Sequence, residues 1–192
     1  PGGSHPPPPG GLPGGATQLK VGKLKYANRL LVDCGDFFGT MGEQDSLKSA
    51  FMVEAMQMLG YDAITPGERE FSFGQQFLLG TFAKTKIDVV PANVVYADDK
   101  KPFAKPYVIR KFGTARVAIT GLLGKDYRIR STGADRPLEV LDPTTTLQKL
   151  LPEMRKKADV VVLLSHLGLA ESQKLTLAVP GIDVMVFGHQ AG

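Results

Sequence analysis

Four stretches of this chain end an apolar run on a side chain able to bind a metal ion or a phosphate. The first is LLVDCGDFFGT, residues 30–40, where Leu30, Leu31 and Val32 run into Asp33, Gly35 and Asp36. The others are DAITPGERE (62–70), DVVVLLSHLG (159–168) and IDVMVFGHQAG (182–192). A short apolar run halted by Gly or Ser beside a polar residue reads as a buried strand whose carboxyl end presents that residue. Ligands of open α/β sheets bind outside those ends. The pattern therefore predicts that Asp36, Glu68, His166 and His189 converge on one rim. Carboxylate oxygens and imidazole nitrogens ligate zinc, manganese or iron. The predicted chemistry is a divalent metal held by Asp36, His166 and His189, with Glu68 as a fourth oxygen donor. Taken singly, each has a plainer reading: a histidine after a strand bonds to backbone, and Asp36 caps a turn or helix. Four equivalent strand-end positions are harder to explain that way.

Strands alternating with helices must position these groups. Residues 44–59 give the clearest helix, with Ala50, Phe51, Val53, Ala55, Met58 and Leu59 as its apolar face and Gly60 as its stop. Met52, Met56 and Met58 read as core filler. A short strand at 61–65 is broken by Pro66-Gly67, a helix follows near 75–84, and residues 87–95 read as one strand. Residues 106–124 form two strands around a Gly113-Thr114 hairpin turn. A helix at 144–157 is interrupted or restarted at Pro152. A fully apolar strand at 159–164 ends on Ser165-His166, a short helix covers 171–178, and the last strand is 182–187. The alternation predicts an α/β layered fold with mostly parallel central strands. Gly121 and Gly124 lack the spacing of a dinucleotide or P-loop motif.

Composition sets the outer bounds. With 192 residues, 43% of them hydrophobic, the chain fits one globular domain with a real core. The formal charge of +4 comes from dispersed Lys and Arg without interleaved aromatics, so a solvated surface is favoured over a nucleic-acid groove. Cys34 is the one cysteine, which excludes an internal disulfide and reads as a small buried hydrophobe. No apolar run approaches the roughly 18 residues that span a bilayer, and no signal peptide is visible. Residues 1–15 are almost entirely Pro and Gly and should be irregular or extended; His5 there reads as a solvated tail histidine. Residues 16–25 are weakly helical, and 16–192 form the domain.

The motifs resemble the metallophosphoesterase domain of the 5′-nucleotidase family, which includes the UDP-sugar hydrolases and 2′,3′-cyclic phosphodiesterases. That family's motifs run Asp-x-His, Gly-Asp, Gly-Asn-His-Glu, a histidine after an apolar strand, and Gly-His-x-His. This chain shows LLVDCGDFFG, GYDAITPGEREFSFG, VVLLSHLGL and VPGIDVMVFGHQAG for the last four, with VVPANVV around Asn93 and KPYVIRKFGTARVAITGLLG as matching flanks. The resemblance covers roughly residues 10–190 and is specific in combination. It implies a calcineurin-like sandwich of mixed β-sheets flanked by helices. It also implies two metals about 3.5–4 Å apart that bind a substrate phosphate and activate a water for in-line attack. By the same resemblance Asp36 is the bridging carboxylate, and His166 and His189 are ligands of the second metal. Glu68 stands where that metal's asparagine belongs. Arg69 stands where a phosphate-contacting histidine belongs and is the catalytic candidate. Arg69 and Asn93 are the candidate phosphate-binding residues.

The departures shape the functional expectation. Asp-x-His does not occur, and Gly188-His189-Gln190-Ala191 lacks the last imidazole. These groups belong to the family's first metal, so at most one divalent ion (Mn, Zn or Fe) per chain is expected. Arg69 can hold a phosphate but cannot serve as a general acid. The expected activity is phosphoester hydrolysis of 5′-nucleotidase type, on nucleotides or related esters, weak or absent in these residues. The alternative is a non-catalytic module that binds one metal, a phosphate or a protein partner. A Rossmann-type nucleotide domain is a distant third, because no G-x-G-x-x-G follows a strand. Neither a nucleic acid nor a membrane is expected as a partner. The family's first strand and later strands are expected to lie in a larger polypeptide or to be supplied by a partner chain. The resemblance implies a periplasmic or otherwise extracytoplasmic location.

Overall fold

Three parallel strands carry the first half of the rim: β1 (Val32–Asp33), β2 (Ala63–Ile64) and β3 (Asp88–Val89). They lie in the order β1-β2-β3, with Val32 opposite Ala63 and Ile64 opposite Val89. Parallel neighbours need long crossovers, here supplied by α1 (Gly42–Leu59) and α2 (Gln75–Phe82). The computed structural model describes residues 25, 26, 28–40, 42–129, 133 and 135–189. The chain divides into two compact units, Pro1–Leu30 and Leu31–Gly192. The expected Pro/Gly-rich segment at 1–15 and all but Lys25 of the weak helix at 16–25 lie outside the described residues.

The second unit holds this sheet and two more. Strand β4 (Val94–Tyr96) pairs with β7 (Leu138–Val140) in antiparallel fashion. The largest sheet is mixed, in the order β5-β6-β8-β9. Its hairpin, β5 (Tyr107–Phe112) and β6 (Ala115–Leu123), turns at Gly113-Thr114, and Gly113 takes the positive φ such a turn requires. Strands β8 (Val160–His166) and β9 (Val184–Phe187) follow in parallel, connected through α3 (Pro143–Lys157) and α4 (Leu169–Ala178). Ala92 N donates to Gly121 O at 2.8 Å, so the chain leaving β3 is stitched to β6. Arg110 on β5 reaches Asp88 Oδ2 at 2.6 Å and Asp62 O at 3.0 Å, tying the parallel sheet to the mixed one a second time. The result is the expected mixed α/β architecture.

Two apolar clusters hold these layers. One gathers Phe38, Val53, Met56, Ile64, Phe71 and Leu78 beneath α1 and α2. The other packs Leu147, Leu151 and Met154 of α3 and Leu175 of α4 on Ala118, Leu122, Val161 and Leu163 of the large sheet. Each such large side chain contributes about 1.5–3 kcal/mol when fully buried. Helix α3 starts on Asp142, whose Oδ1 accepts the Thr145 N–H at 2.7 Å, with Pro143 just inside; a cap of this kind is worth about 1 kcal/mol.

Several details differ from the sequence reading. Pro152 does not interrupt α3, which runs unbroken because Leu147 and Leu151 before it and Met154 after it are all buried. Their burial outweighs the roughly 3 kcal/mol that an interior proline costs. The expected strand at 87–95 is two strands in different sheets, since Pro91-Ala92 turns aside to pair with β6. On α1 the buried line is Ser49, Val53 and Met56, while Phe51 and Met58 are 66% and 86% exposed; the expected face was rotated. Strand β1 is two half-buried residues. The final strand is not buried: Val184, Val186 and Phe187 of β9 are exposed. His166 is the last residue of β8 rather than a residue following it. Strand β7 was not foreseen, because three residues cannot display a period of two.

Candidate metal centre

The rim begins with a buried carboxylate. Glu70 is fully buried, in a short 3₁₀ turn (Arg69–Phe71) after β2. Its Oε2 accepts the backbone N–H groups of Asp36 and Gly67, both at 2.7 Å, and its Oε1 accepts those of Phe37 at 2.9 Å and Phe38 at 3.0 Å. Glu70 thereby clamps the loop after β1 to the loop after β2. Burial pushes its carboxyl above the ordinary range, and the N–H donors pull part of the way back. The clamp holds Asp36 at φ +68°, a left-handed conformation that L-residues adopt at a cost. Next to it, Asp33 Oδ1 accepts the Gly35 N–H at 2.8 Å.

The two histidines arrive from the large sheet. His166, fully buried, sits opposite Leu123 at the end of β8. Its Nδ1 lies on the carbonyl of Cys34, which can only accept, so Nδ1 carries the proton. His189 follows β9 at φ +59°; Gly188 N, bonded to Ser165 O at 2.9 Å, anchors that turn. Gly188 packs so closely on Cys34 that an added Cβ would stand 2.9 Å from the cysteine's Cβ. The Cys34 thiol points to Val186 O at 3.2 Å. Burial, then the charge of Asp33, push it up to about 12.

Asp36, Glu68, His166 and His189 each offer a ligand atom, and these atoms all lie within 4.8 Å of one another. His166 Nε2 is 3.1 Å from Glu68 Oε2 and 3.6 Å from Asp36 Oδ1. His189 Nδ1 is 3.3 Å from Asp36 Oδ2 and 3.7 Å from Glu68 Oε1. Ligands about 2.1 Å from a tetrahedral ion stand roughly 3.4 Å apart; the four contacts scatter around that value, each carboxylate turning a different oxygen to each histidine. The donor set also fits chemically. With its proton on Nδ1, the Nε2 lone pair of His166 faces two carboxylate oxygens, a group of acceptors that either a metal ion among them or a second proton on the imidazole relieves. The bond from Nδ1 to the Cys34 carbonyl is the outer-shell contact that fixes an imidazole ligand's tautomer.

The other two candidates are placed differently. Arg69 is exposed on the rim; its backbone N–H reaches Asp36 Oδ1 at 3.3 Å, and its guanidinium pairs with no described acidic group. Asn93 is fully buried and stands outside the cluster. Its amide donates to Leu123 O at 2.7 Å and Leu141 O at 2.9 Å, and its Oδ1 accepts from Leu123 N at 2.9 Å. Its side chain is engaged in pinning β4 to the ends of β6 and β7, which leaves it no group to offer a phosphate.

Glu70 and Tyr127 were missed in the sequence. Glu70 falls on the glutamate that closes the Gly-Asn-His-Glu motif, which is the signal that could have singled it out. Tyr127 follows β6 by four residues, and its ring lies 4.4 Å from that of His189 and 5.6 Å from that of His166. Burial, then the charges of Glu68, Glu171, Asp36 and Asp126, push its phenol up, keeping it a neutral hydroxyl. Gly67 closes the site from below: a Cβ there would meet Asp36 Oδ1 at 2.3 Å and His166 Nε2 at 2.6 Å.

Mixed sheets flanked by helices, with carboxylates and imidazoles gathered at the strand ends, define a metallophosphoesterase-type domain. The chain belongs to the calcineurin-like phosphoesterase family, which it matches over residues 9–192. It is 28% identical to the 2′,3′-cyclic-nucleotide 2′-phosphodiesterase/3′-nucleotidase of Haemophilus influenzae, over 91% of this chain and 31% of that protein. It is 29% identical to the snake venom 5′-nucleotidase of Gloydius brevicauda, over 94% of this chain and 32% of that protein. Among solved structures, the 5′-nucleotidase precursor of Thermus thermophilus superposes with a TM-score of 0.76 at 32% identity, over 91% of this chain and 35% of that one. The chain thus spans about a third of the length of these relatives.

Proposed function

We propose that this domain binds one divalent metal ion through Asp36, Glu68, His166 and His189 and belongs to a hydrolase of nucleotide or related phosphate esters. The observation that carries the reading is the convergence of one ligand atom from each of Asp36, Glu68, His166 and His189 within 4.8 Å. A metal bound there supplies Lewis acidity toward a phosphoryl oxygen; manganese, zinc and iron all suit the donor set. Arg69 binds the phosphate: it is exposed beside the cluster, permanently charged, and offers a fork of N–H donors. It cannot give up a proton to a leaving group. General acid catalysis is typically worth about 10²–10⁴ in rate, so turnover is slow. The names of the relatives, one a precursor and one a venom enzyme, support an extracytoplasmic location.

Glu68 favours a second reading, a module that binds metal without turnover. Two carboxylates and two neutral imidazoles cancel the charge of a divalent ion, weakening its pull on a phosphate. Elemental analysis after dialysis against Mn²⁺ or Zn²⁺, with nucleoside monophosphate hydrolysis on the same samples, separates the readings. One ion per chain, lost in His166→Ala, with slow turnover is the expected result. One ion with no turnover favours the module. No ion, or two, refutes the proposed centre, and a kcat near about 10 s⁻¹, ordinary for enzymes, refutes the role given to Arg69.

A further inference from the structure

The two histidines of the rim are not held alike. His166 is fully buried and its Nδ1 is fastened to the Cys34 carbonyl. His189 is partly exposed, and its Nδ1 is the nitrogen turned toward Asp36 and Glu68. Among the described residues, its other nitrogen has no hydrogen-bond partner. An imidazole ligand is ordinarily oriented by a bond from its second nitrogen, and a ring lacking one is free to rotate about its side-chain bonds unless something packs against it. Its neighbours are Tyr127, at 4.4 Å between ring centres and tilted 45°, and His166, at 5.0 Å. Tyr127 also meets His166 edge-on at 5.6 Å, so one phenol ring touches both imidazoles.

The chain places this ring deliberately close. Strand β6 ends at Leu123, and Gly124 N donates to His166 O at 3.0 Å, continuing the ladder one step. The chain then folds back, with Tyr127 N donating to Gly124 O at 3.3 Å. The tyrosine ring comes to rest on Gly124, where a Cβ would meet its Cε2 at 2.6 Å. A side chain at 124 would push the ring away from the histidines.

We propose that Tyr127 is a positioning residue of the metal centre, its ring packing against His189 so that Nδ1 is held toward Asp36 and Glu68. The role rests on the metal-binding reading above and belongs to the ring, not to the hydroxyl. Aromatic pairs at such separations attract through ring quadrupoles and dispersion, and outer-shell partners of metal ligands typically change affinity about 10–100-fold.

The test is Mn²⁺ or Zn²⁺ affinity by isothermal titration for the wild type, Tyr127→Phe, Tyr127→Leu and His189→Ala, each shown to be folded by circular dichroism. Tyr127→Phe is expected to bind within about twofold of the wild type, and Tyr127→Leu about tenfold more weakly. Tyr127→Leu added to His189→Ala should cause no further loss, since the ring acts through that imidazole. In parallel, the ring carbons of His189 followed by NMR should shift in Tyr127→Leu but not in Tyr127→Phe. A wild type that binds while Tyr127→Leu binds equally well overturns the role of Tyr127 and leaves the centre standing. Equal losses in Tyr127→Phe and Tyr127→Leu overturn the ring-based account. A wild type that takes up neither ion overturns both readings.

Discussion

Glu70 and Asp36 meet across 34 residues of sequence, the carboxylate of one accepting the backbone N–H of the other at 2.7 Å. Three more N–H groups share the same carboxylate, so both of its oxygens are occupied. Glu70→Gln keeps the shape but offers a single acceptor oxygen, and its NH₂ would face two backbone donors. Each orphaned buried donor costs about 1–3 kcal/mol, so with two of them chemical denaturation should show a loss of roughly 2–6 kcal/mol. Unchanged stability would mean that the loops after β1 and β2 hold their shape without the clamp.

Cys34 should be chemically silent in the folded protein. Its thiol is buried, directed at Val186 O, and raised to about 12, while the thiolate is the reactive form. Ellman's reagent at pH 8 is expected to label it only on unfolding. The sign of its pH dependence follows from linkage. The folded state keeps the proton above the ordinary value of 9.0, so stability falls as pH rises from there toward about 12. Cys34→Ala should lack that part of the alkaline loss when the two are compared by denaturant titration at pH 7 and pH 10.

Acid should act through a different residue. Burial raises the Asp88 carboxyl, but hydrogen bonds and charge from Lys105 and Arg110 outweigh it and hold the group below its ordinary 3.8. A depressed carboxylate stabilises above that value and loses its contribution as pH falls through the folded value. Stability measured between pH 5 and pH 2.5 should therefore decline less steeply in Asp88→Asn than in the wild type. Parallel curves would show that the pairing at β3 and β5 adds nothing.

Thr65 offers a gain. Its Oγ1 is buried without a hydrogen-bond partner among the described residues, wedged against Gly121. Thr65→Val removes the orphaned hydroxyl at nearly constant shape and should raise stability by about 1 kcal/mol. A drop in melting temperature instead would indicate that an ordered water satisfies the hydroxyl.

The strand-end rule made the rim legible because it needs only apolar runs and the residues that stop them. Asp36, Glu68, His166 and His189 could be picked out without knowing how the strands pair. The rule is blind to what lies behind the rim. Whether a carboxylate such as Glu70 is solvated or saturated by backbone depends on two loops meeting across some 34 positions; the motif that ends on Glu70 marks the residue but does not say what it does. Asn93 shows the same limit: an amide beside a strand end is here bonded to three backbone groups, a placement that no local pattern displays. The rotated face of α1 has another origin. A helix with apolar residues on several sides leaves the choice to packing, which took Val53 and Met56 and left Phe51 and Met58 outside.

The left-handed backbone at Asp36 and His189 bears on how an ion would load. The unfavourable torsions are adopted when the chain folds and are enforced from outside the site, by Glu70 on one side and by the Gly188–Ser165 bond on the other. An arriving ion therefore meets donors already in place and has little chain left to order. Its uptake should be fast, with a heat-capacity change close to zero and nearly superimposable far-ultraviolet spectra before and after. Removing such an ion should leave the loops as the scaffold already holds them, and should lower the stability of the fold only by the free energy of binding lost.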